Sequence, residues 1–130
     1  MGIKKMTQSK ENYLRVLLEL SEVQQAIHSV DIACALGFTR ASVSRMLKLL
    51  SETGYVIKNE YGEVTLTDSG RAIAVSMKLR RSILKTFLTE ILGVEPPVAE
   101  KDACKLEHII SDETESKLSW HIQNYLPTNE

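Results

Sequence analysis

Three residues in the carboxyl-terminal half combine side chains that can bind a transition metal. Cys104, Glu107 and His108 stand at positions i, i+3 and i+4, a spacing that places them on one face of a helix, one turn apart. Thiolate, carboxylate and imidazole are transition-metal ligands, and the thiolate and carboxylate balance much of the charge of a divalent ion. A buried cysteine, a salt-bridged glutamate and a capped histidine would give the same pattern, so the spacing leaves both interpretations open.

A second group of polar residues, in the amino-terminal half, has the chemistry of a nucleic-acid interface. Residues 41–54 carry an apolar stripe at helical spacing and a polar remainder. The stripe consists of Val43, Met46, Leu47 and Leu50. Hydroxyl and cationic side chains cluster at the amino-terminal end of this predicted helix: Thr39, Arg40, Ser42, Ser44 and Arg45. A helix with such a face can enter the major groove and offer hydrogen bonds to base edges.

Within this group, the expected roles differ from residue to residue. Arg45 is predicted to read a base, with guanine as its natural bidentate partner. Lys48, Lys58 and Tyr61 are predicted to contact phosphates, which position a protein on DNA without specifying sequence. For any one of these residues, an ordinary solvated helix face is the competing interpretation.

The order of the predicted elements places these groups in a winged helix-turn-helix. Helices are predicted over residues 9–22, 29–36 and 41–54, with Ser29 capping the second and Gly37 ending it. A hairpin over residues 55–67 turns at Tyr61 and Gly62. A long helix over residues 67–92 and two further helices, over residues 98–110 and 111–125, follow. A short helix, a turn, a polar-faced helix and a hairpin are the arrangement of that DNA-binding fold.

Composition excludes several classes of protein. The chain has 130 residues, of which 43% are apolar and 25% charged, which is ordinary for a folded protein of one domain or two small ones. No apolar run approaches the roughly 20 residues of a membrane helix, and the amino terminus lacks the features of a secretory signal. Two cysteines, Cys34 and Cys104, are too few for a disulfide framework, so we expect a cytoplasmic location without membrane partners.

The net charge of −1 conceals a division between the two ends of the chain. Residues 1–85 hold 13 Lys and Arg against 8 Asp and Glu, a net +5, whereas residues 86–130 hold 3 against 9, a net −6. The positive charge of residues 1–85 favours a polyanionic partner, although an uneven distribution of surface charge without a functional role would give the same counts. A winged helix that docks a protein remains an alternative. Catalysis is disfavoured, because the sequence has no paired acid and base near an open metal position, no glycine-rich phosphate loop and no nucleophile elbow.

Four stretches of the chain resemble the diphtheria toxin repressor family of iron- and manganese-dependent transcriptional regulators. They are residues 11–20, Ser42-Val-Ser-Arg, Leu66-Thr-Asp-Ser-Gly-Arg, and residues 103–113 with Cys-Lys-Leu-Glu-His-Ile-Ile-Ser-Asp-Glu. The likeness covers residues 7–126 and resembles the short, two-domain form. It implies a mainly α fold, with a winged helix-turn-helix over residues 1–75 and an α-helical dimerisation and metal-binding domain over residues 76–130. It further implies a cytoplasmic homodimer that binds a palindromic double-stranded operator, as a repressor.

The resemblance also implies a metal site formed by Asn12, Cys104, Glu107 and His108. The family normally supplies Met or Asp from the amino-terminal helix, so Asn12 is a departure, with a weaker, neutral amide oxygen. Metal at this site would fix the orientation of the DNA-reading domain within the dimer. A divalent transition metal is expected, Fe²⁺ first, because a thiolate favours iron or zinc over the harder Mn²⁺. Mn²⁺, Zn²⁺ and Co²⁺ remain alternatives.

A second, ancillary metal site of the family is predicted to be lost. Its positions correspond to Arg81, Lys85 and Glu100, and the two cationic side chains cannot act as ordinary metal ligands at neutral pH. They could instead supply fixed positive charge and pair with carboxylates such as Glu100. The alternative function is therefore a metal-independent winged-helix regulator in which Arg81 and Lys85 replace the ancillary metal.

Overall fold

A computed structural model describes residues 6–125 as six α-helices and one two-stranded sheet. In chain order the elements are α1 (Gln8–Ser21), α2 (Ser29–Leu36), α3 (Arg40–Glu52), β1 (Val56–Lys58), β2 (Val64–Leu66), α4 (Asp68–Thr86), α5 (Pro96–Leu106) and α6 (Asp112–Tyr125). A π-helical turn, Phe87–Ile91, follows α4. The mainly α class with a winged helix-turn-helix is confirmed. The chain divides after Ser76 into two compact units.

The core of the first unit forms where the apolar faces of α1, α2 and α3 and the hairpin meet. Its buried members are Tyr13, Leu14, Leu17, Leu18, Ile27, Ile32, Ala33, Val43, Leu47, Leu50, Val56, Val64 and Ala74. On α1 and α3 these residues recur every three or four positions, which is why the helical periodicity was visible in the sequence. This core fixes the orientation of α3, the element on which the predicted base-reading residues lie.

The ends of α2 are set by local hydrogen bonds that differ in part from the prediction. The expected cap, Ser29, lies inside the helix, and the capping residue is His28. The side chain of Asp31 accepts a hydrogen bond from the His28 backbone N–H at 2.8 Å, which satisfies a donor at the start of the helix. At the other end Gly37 has φ 71°, so the predicted left-handed residue after α2 is confirmed.

The hairpin pairs β1 with β2 antiparallel, with Ile57 opposite Thr65. This hairpin, residues 56–66, is the wing of the fold. The N–H of Val64 also donates to the carbonyl of Ile27 at 2.8 Å, which links the wing to the segment before α2. The start of α4 lies tightly against the residue before β1. A Cβ at Gly70 would overlap the carbonyl oxygen of Tyr55, so glycine is required there.

In the second unit, the predicted long helix over residues 67–92 is interrupted at its end. After Thr86 the hydrogen bonding changes to a π-helical turn, in which the Leu92 N–H donates to the Phe87 carbonyl at 3.1 Å. The Thr89 hydroxyl donates to the Lys85 carbonyl at 2.9 Å, and such a side-chain bond competes with the regular helical pattern. A periodicity argument cannot detect this change, because the apolar spacing continues through it.

The helix predicted over residues 98–110 begins two residues earlier and ends four residues earlier than expected. Pro96 is tolerated as the first residue of α5 because its missing N–H would have no helical partner. After Leu106 the backbone tightens, and the His108 N–H donates to the Lys105 carbonyl at 3.3 Å. Glu107 is the C-cap of α5, with helical backbone angles and its N–H bonded to the Ala103 carbonyl, so it stays one turn from Cys104, and His108 lies in the turn that follows.

Candidate functional site

Helix α3 presents a basic, solvent-exposed face opposite its apolar one. Val43 and Leu50 are fully buried and Leu47 is nearly so. At about 100° per residue, Arg45 projects almost directly away from these three side chains. The structure leaves exposed Arg40, Ser44, Arg45 and Lys48.

The amino-terminal end of α3 is organised by two of the predicted DNA-binding residues. The Thr39 hydroxyl oxygen accepts from the Ser42 N–H at 3.1 Å, and its O–H donates to the Ser42 hydroxyl oxygen at 3.0 Å. Thr39 is the capping residue, and Ser42 is half-buried. Thr39 thus supports the helix end as a cap, and it is itself exposed, as are the cationic side chains and Ser44.

The wing places the other two predicted DNA contacts at its exposed edge. Lys58 ends β1 and is exposed, and Tyr61 in the turn is 74% exposed. Asn59 holds this turn together, since its Oδ1 accepts from the backbone N–H groups of Tyr61 and Glu63, each at 2.9 Å. Sequence reasoning did not single out Asn59, although an Asn ahead of a glycine-containing turn is a recognisable turn-forming signal.

A buried carboxylate and an arginine form the centre of a cluster in the second unit. Glu107 is fully buried, and its Oε1 accepts from Arg81 Nε at 2.7 Å. Arg81 Nη2 lies 3.4 Å from Glu107 Oε2 and 3.3 Å from Cys104 Sγ. The guanidinium therefore contacts two of the predicted metal ligands, Cys104 and Glu107, with its planar fork of donors.

The predicted pairing of cationic side chains with Glu100 is present at Lys85. Lys85 Nζ lies 2.9 Å from Glu100 Oε1, whereas the closest approach of Arg81 Nη1 to Glu100 Oε2 is 3.9 Å. Arg81 thus pairs with Glu100 as expected, but its shortest contact is with Glu107, at 2.7 Å. Burial explains this choice, because a fully buried carboxylate needs an opposite charge far more than a half-exposed one does.

The predicted metal ligands do not fit a metal ion in this arrangement. Glu107 Oε2 is 3.4 Å from His108 Nε2, but the same carboxylate is already held by Arg81. Throughout residues 6–125, no three His, Cys, Asp or Glu side chains are grouped so that they could hold a metal. Asn12 lies on α1 in the first unit, where its Oδ1 is shielded from solvent and accepts no hydrogen bond from the described residues.

Arg80 is a structural residue of the second unit that sequence reasoning missed. Its guanidinium contacts Asp112 at 2.6 Å and Glu115 at 2.7 Å, and Nη1 donates to the carbonyls of Glu107 and Ile110. Burial alone lowers the pKa of Arg80, but the hydrogen bonds and charges of Glu115 and Asp112 outweigh it and raise the pKa above its ordinary value. Arg80 thus remains cationic and supports the turn that carries Glu107 and His108.

Comparison with protein families matches almost the whole chain. A family model described as "Iron dependent repressor, N-terminal DNA binding domain" matches residues 5–64. Another, described as "Iron dependent repressor, metal binding and dimerisation domain", matches residues 67–125. Together the two matched ranges contain all the candidate residues described above.

Individual relatives are also transcriptional regulators, and this chain aligns with different shares of their lengths. An uncharacterized HTH-type transcriptional regulator of Methanocaldococcus jannaschii is 35% identical over 121 residues, which are 92% of this chain and 97% of that protein. The transcriptional regulator MntR of Salmonella typhimurium is 35% identical over 76% of this chain and 60% of its own length. The solved structure of the manganese regulator SloR has a TM-score of 0.78 at 30% identity, covering 91% of this chain and 55% of that one. In residues 6–125, no helix has the length and apolarity needed to cross a membrane.

Proposed function

The chain belongs to the diphtheria toxin repressor family of metal-dependent transcriptional regulators, and from that premise we propose that it binds a palindromic operator as a homodimer and represses transcription. The family consists of regulators that bind DNA, not of enzymes. The chain spans nearly all of the archaeal relative but only 60% of MntR and 55% of SloR. Operator binding, repression and a cytoplasmic location are therefore proposed for this chain.

One observation carries the proposal of DNA binding. The first-unit core buries one face of α3 and leaves Arg45 and Lys48 exposed on the other. A helix of this kind fits the major groove, where Arg45 can donate two hydrogen bonds to guanine and Lys48 can contact the phosphate backbone. The wing supplies Lys58 and Tyr61 for contacts beside the groove.

Exposed apolar side chains on α6 support a second copy of the chain as the other partner. Trp120 and Tyr125 are 56% and 67% exposed. Tyr125 also lines, together with Phe87 and Leu118, an apolar groove of about 480 Å³. Exposed aromatic side chains next to an apolar groove are typical of association surfaces. A homodimer that covers this face would present two recognition helices to the two halves of a palindrome.

For metal binding, the proposal is limited to a predicted set of ligands and a first candidate metal. Related solved structures include a manganese-dependent repressor in complex with manganese and the protein ScaR with bound Zn²⁺. For this chain the ligand set Asn12, Cys104, Glu107 and His108 stays a prediction that requires Arg81 to release Cys104 and Glu107, with Fe²⁺ as the first candidate because of the thiolate.

The contacts of Arg81 and Lys85 favour a second candidate function, operator binding that requires no metal. Arg81 holds Cys104 and Glu107, and Lys85 holds Glu100, so fixed positive charge already stabilises these groups. Under this alternative, the DNA-binding geometry exists before any metal is added.

Electrophoretic binding to the promoter upstream of the chain's own gene tests the proposal. We expect a shifted complex whose affinity falls steeply with salt, because phosphate contacts release counterions. A protein-docking winged helix would give weak binding with little salt dependence, and that outcome would contradict the proposal. Repeating the titration with a chelator separates the two candidates, since binding should weaken under the metal-dependent function and persist under the metal-independent one.

A further inference from the structure

The donor cluster of the second unit already contains a cation, and it is part of the protein. The Arg81 guanidinium lies 2.7 Å from Glu107 Oε1 and 3.3 Å from Cys104 Sγ. A divalent metal bound to the same two side chains would lie about 2.0–2.3 Å from their oxygen and sulfur atoms. Metal and guanidinium would therefore compete for the same donor atoms.

Charge and burial make this competition strong. Glu107 is fully buried, and a buried carboxylate is stable only with an opposite charge close to it. Arginine keeps its positive charge at all accessible pH values. A metal ion approaching Glu107 would meet like charge at a short distance in a poorly solvated region, which opposes its binding.

We propose that the guanidinium of Arg81 takes the place of a divalent metal at Cys104 and Glu107, so that these donors bind metal only when Arg81 is displaced or removed. Arg81 thereby lowers the metal affinity of this cluster while keeping Glu107 neutralised. Lys85 does not share this role, because its contact is with the half-exposed Glu100. The proposal concerns metal affinity alone and does not depend on operator binding.

Cobalt titration of the full-length chain tests the proposal without DNA. The chelator-treated wild type and the variants Arg81→Gln and Arg81→Ala are titrated with Co²⁺, and the near-ultraviolet absorption of a thiolate–cobalt bond is measured. Gln keeps a neutral hydrogen-bond donor at position 81, so Arg81→Gln should disturb the fold less than Arg81→Ala does. We expect the Arg81 variants to bind Co²⁺ roughly tenfold or more tightly than the wild type.

Two controls assign the absorption to this cluster. Lys85→Gln removes a positive charge four residues further along α4 but leaves the Arg81–Glu107 contact in place, so it should titrate like the wild type. The double variant Arg81→Gln, Cys104→Ser should lose the thiolate–cobalt absorption, which excludes the exposed Cys34 as its source. Circular dichroism verifies that each variant is as helical as the wild type.

Several outcomes would overturn the proposal. One is a wild type that develops the full absorption with stoichiometric Co²⁺, a result that needs no variant to fold. Another is a folded Arg81→Gln with no absorption and no gain in affinity. An equal gain in Lys85→Gln would show that overall charge, and not the position of Arg81, controls metal binding.

Discussion

Arg45 and Arg81 have the same side chain, yet their surroundings give them different uses. Arg45 is exposed on α3, so its donors are available to an external partner. Arg81 is held by the buried Glu107 and by Cys104. An arginine becomes a structural counter-ion when a buried acidic side chain lies beside it, and it remains available for recognition when none does. The residue type alone does not reveal which case applies.

Arg45→Ala should weaken operator binding by about 1–3 kcal/mol and relax the preference at one base pair, because a bidentate base contact is lost. Fluorescence anisotropy with the operator and with single-base variants of it measures both effects. Lys101→Ala, which removes an exposed positive charge from α5, is the control and should bind like the wild type. An Arg45→Ala variant with unchanged affinity and unchanged base preference would refute the assignment.

Tyr13 should contribute to a loss of stability at alkaline pH. Its side chain is buried, and this burial raises the pKa of Tyr13 above its ordinary value of 10.0. The folded chain therefore holds the phenolic proton more tightly than the unfolded chain does. The resulting contribution to stability is complete below about pH 10 and is lost as the pH rises through the folded-state pKa.

Chemical denaturation of wild type and Tyr13→Phe across this range measures the effect. Above about pH 10 the wild type should lose more free energy of unfolding than Tyr13→Phe does, because the variant has no proton to lose there. Parallel declines in the two proteins would show that Tyr13 does not contribute.

At the scale of elements, individual hydrogen bonds at the helix ends determine where each helix begins and ends. The sequence predicted the order of helices and hairpin, because apolar periodicity and turn residues are local signals. It misplaced the carboxyl-terminal end of α5, where a residue distant in the chain contributes hydrogen bonds. The Arg80 guanidinium, for example, donates hydrogen bonds to the carbonyls of Glu107 and Ile110.

Gly70→Ala should destabilise the first unit by about 1–3 kcal/mol, because the added methyl group would overlap the Tyr55 carbonyl oxygen. In an ordinary helix this substitution is stabilising by up to about 1 kcal/mol, so the sign of the change is diagnostic. The neighbouring exposed position provides the control Ser69→Ala, for which we expect little change. Urea denaturation measures both, and a Gly70→Ala variant as stable as the wild type would contradict the close approach.

At the scale of the whole molecule, the charge of the chain changes sign at the carboxyl-terminal end of α4, and this point does not coincide with the boundary between the two units after Ser76. The basic residues 1–85 include the predicted DNA-binding face, and the acidic residues 86–130 include α6 with its exposed aromatic side chains. The basic charge favours a polyanion as the partner of the amino-terminal part, and the exposed aromatic side chains of α6 favour a second copy of the chain as the other partner.

Trp120→Lys should weaken the proposed dimer, because it places a charge in the apolar surface on α6 and removes a large aromatic contact. Sedimentation velocity over a range of concentrations measures the change, and the variant should dissociate at higher concentrations than the wild type does. Val23→Lys replaces an apolar residue that is 78% exposed in the first unit and serves as the control. If Trp120→Lys sediments like the wild type, the dimer uses another surface.

The sequence by itself determined the winged-helix arrangement, the face of α3 that carries Arg45 and the residue types of the donor cluster. Those features follow from spacing along the chain, which fixes the side on which a helical residue lies. Only the tertiary structure decided that Arg81 contacts Glu107 and Cys104. That pairing joins α4 to the end of α5, 26 residues away along the chain, and it depends on which carboxylate the fold buries, a property that local sequence does not encode.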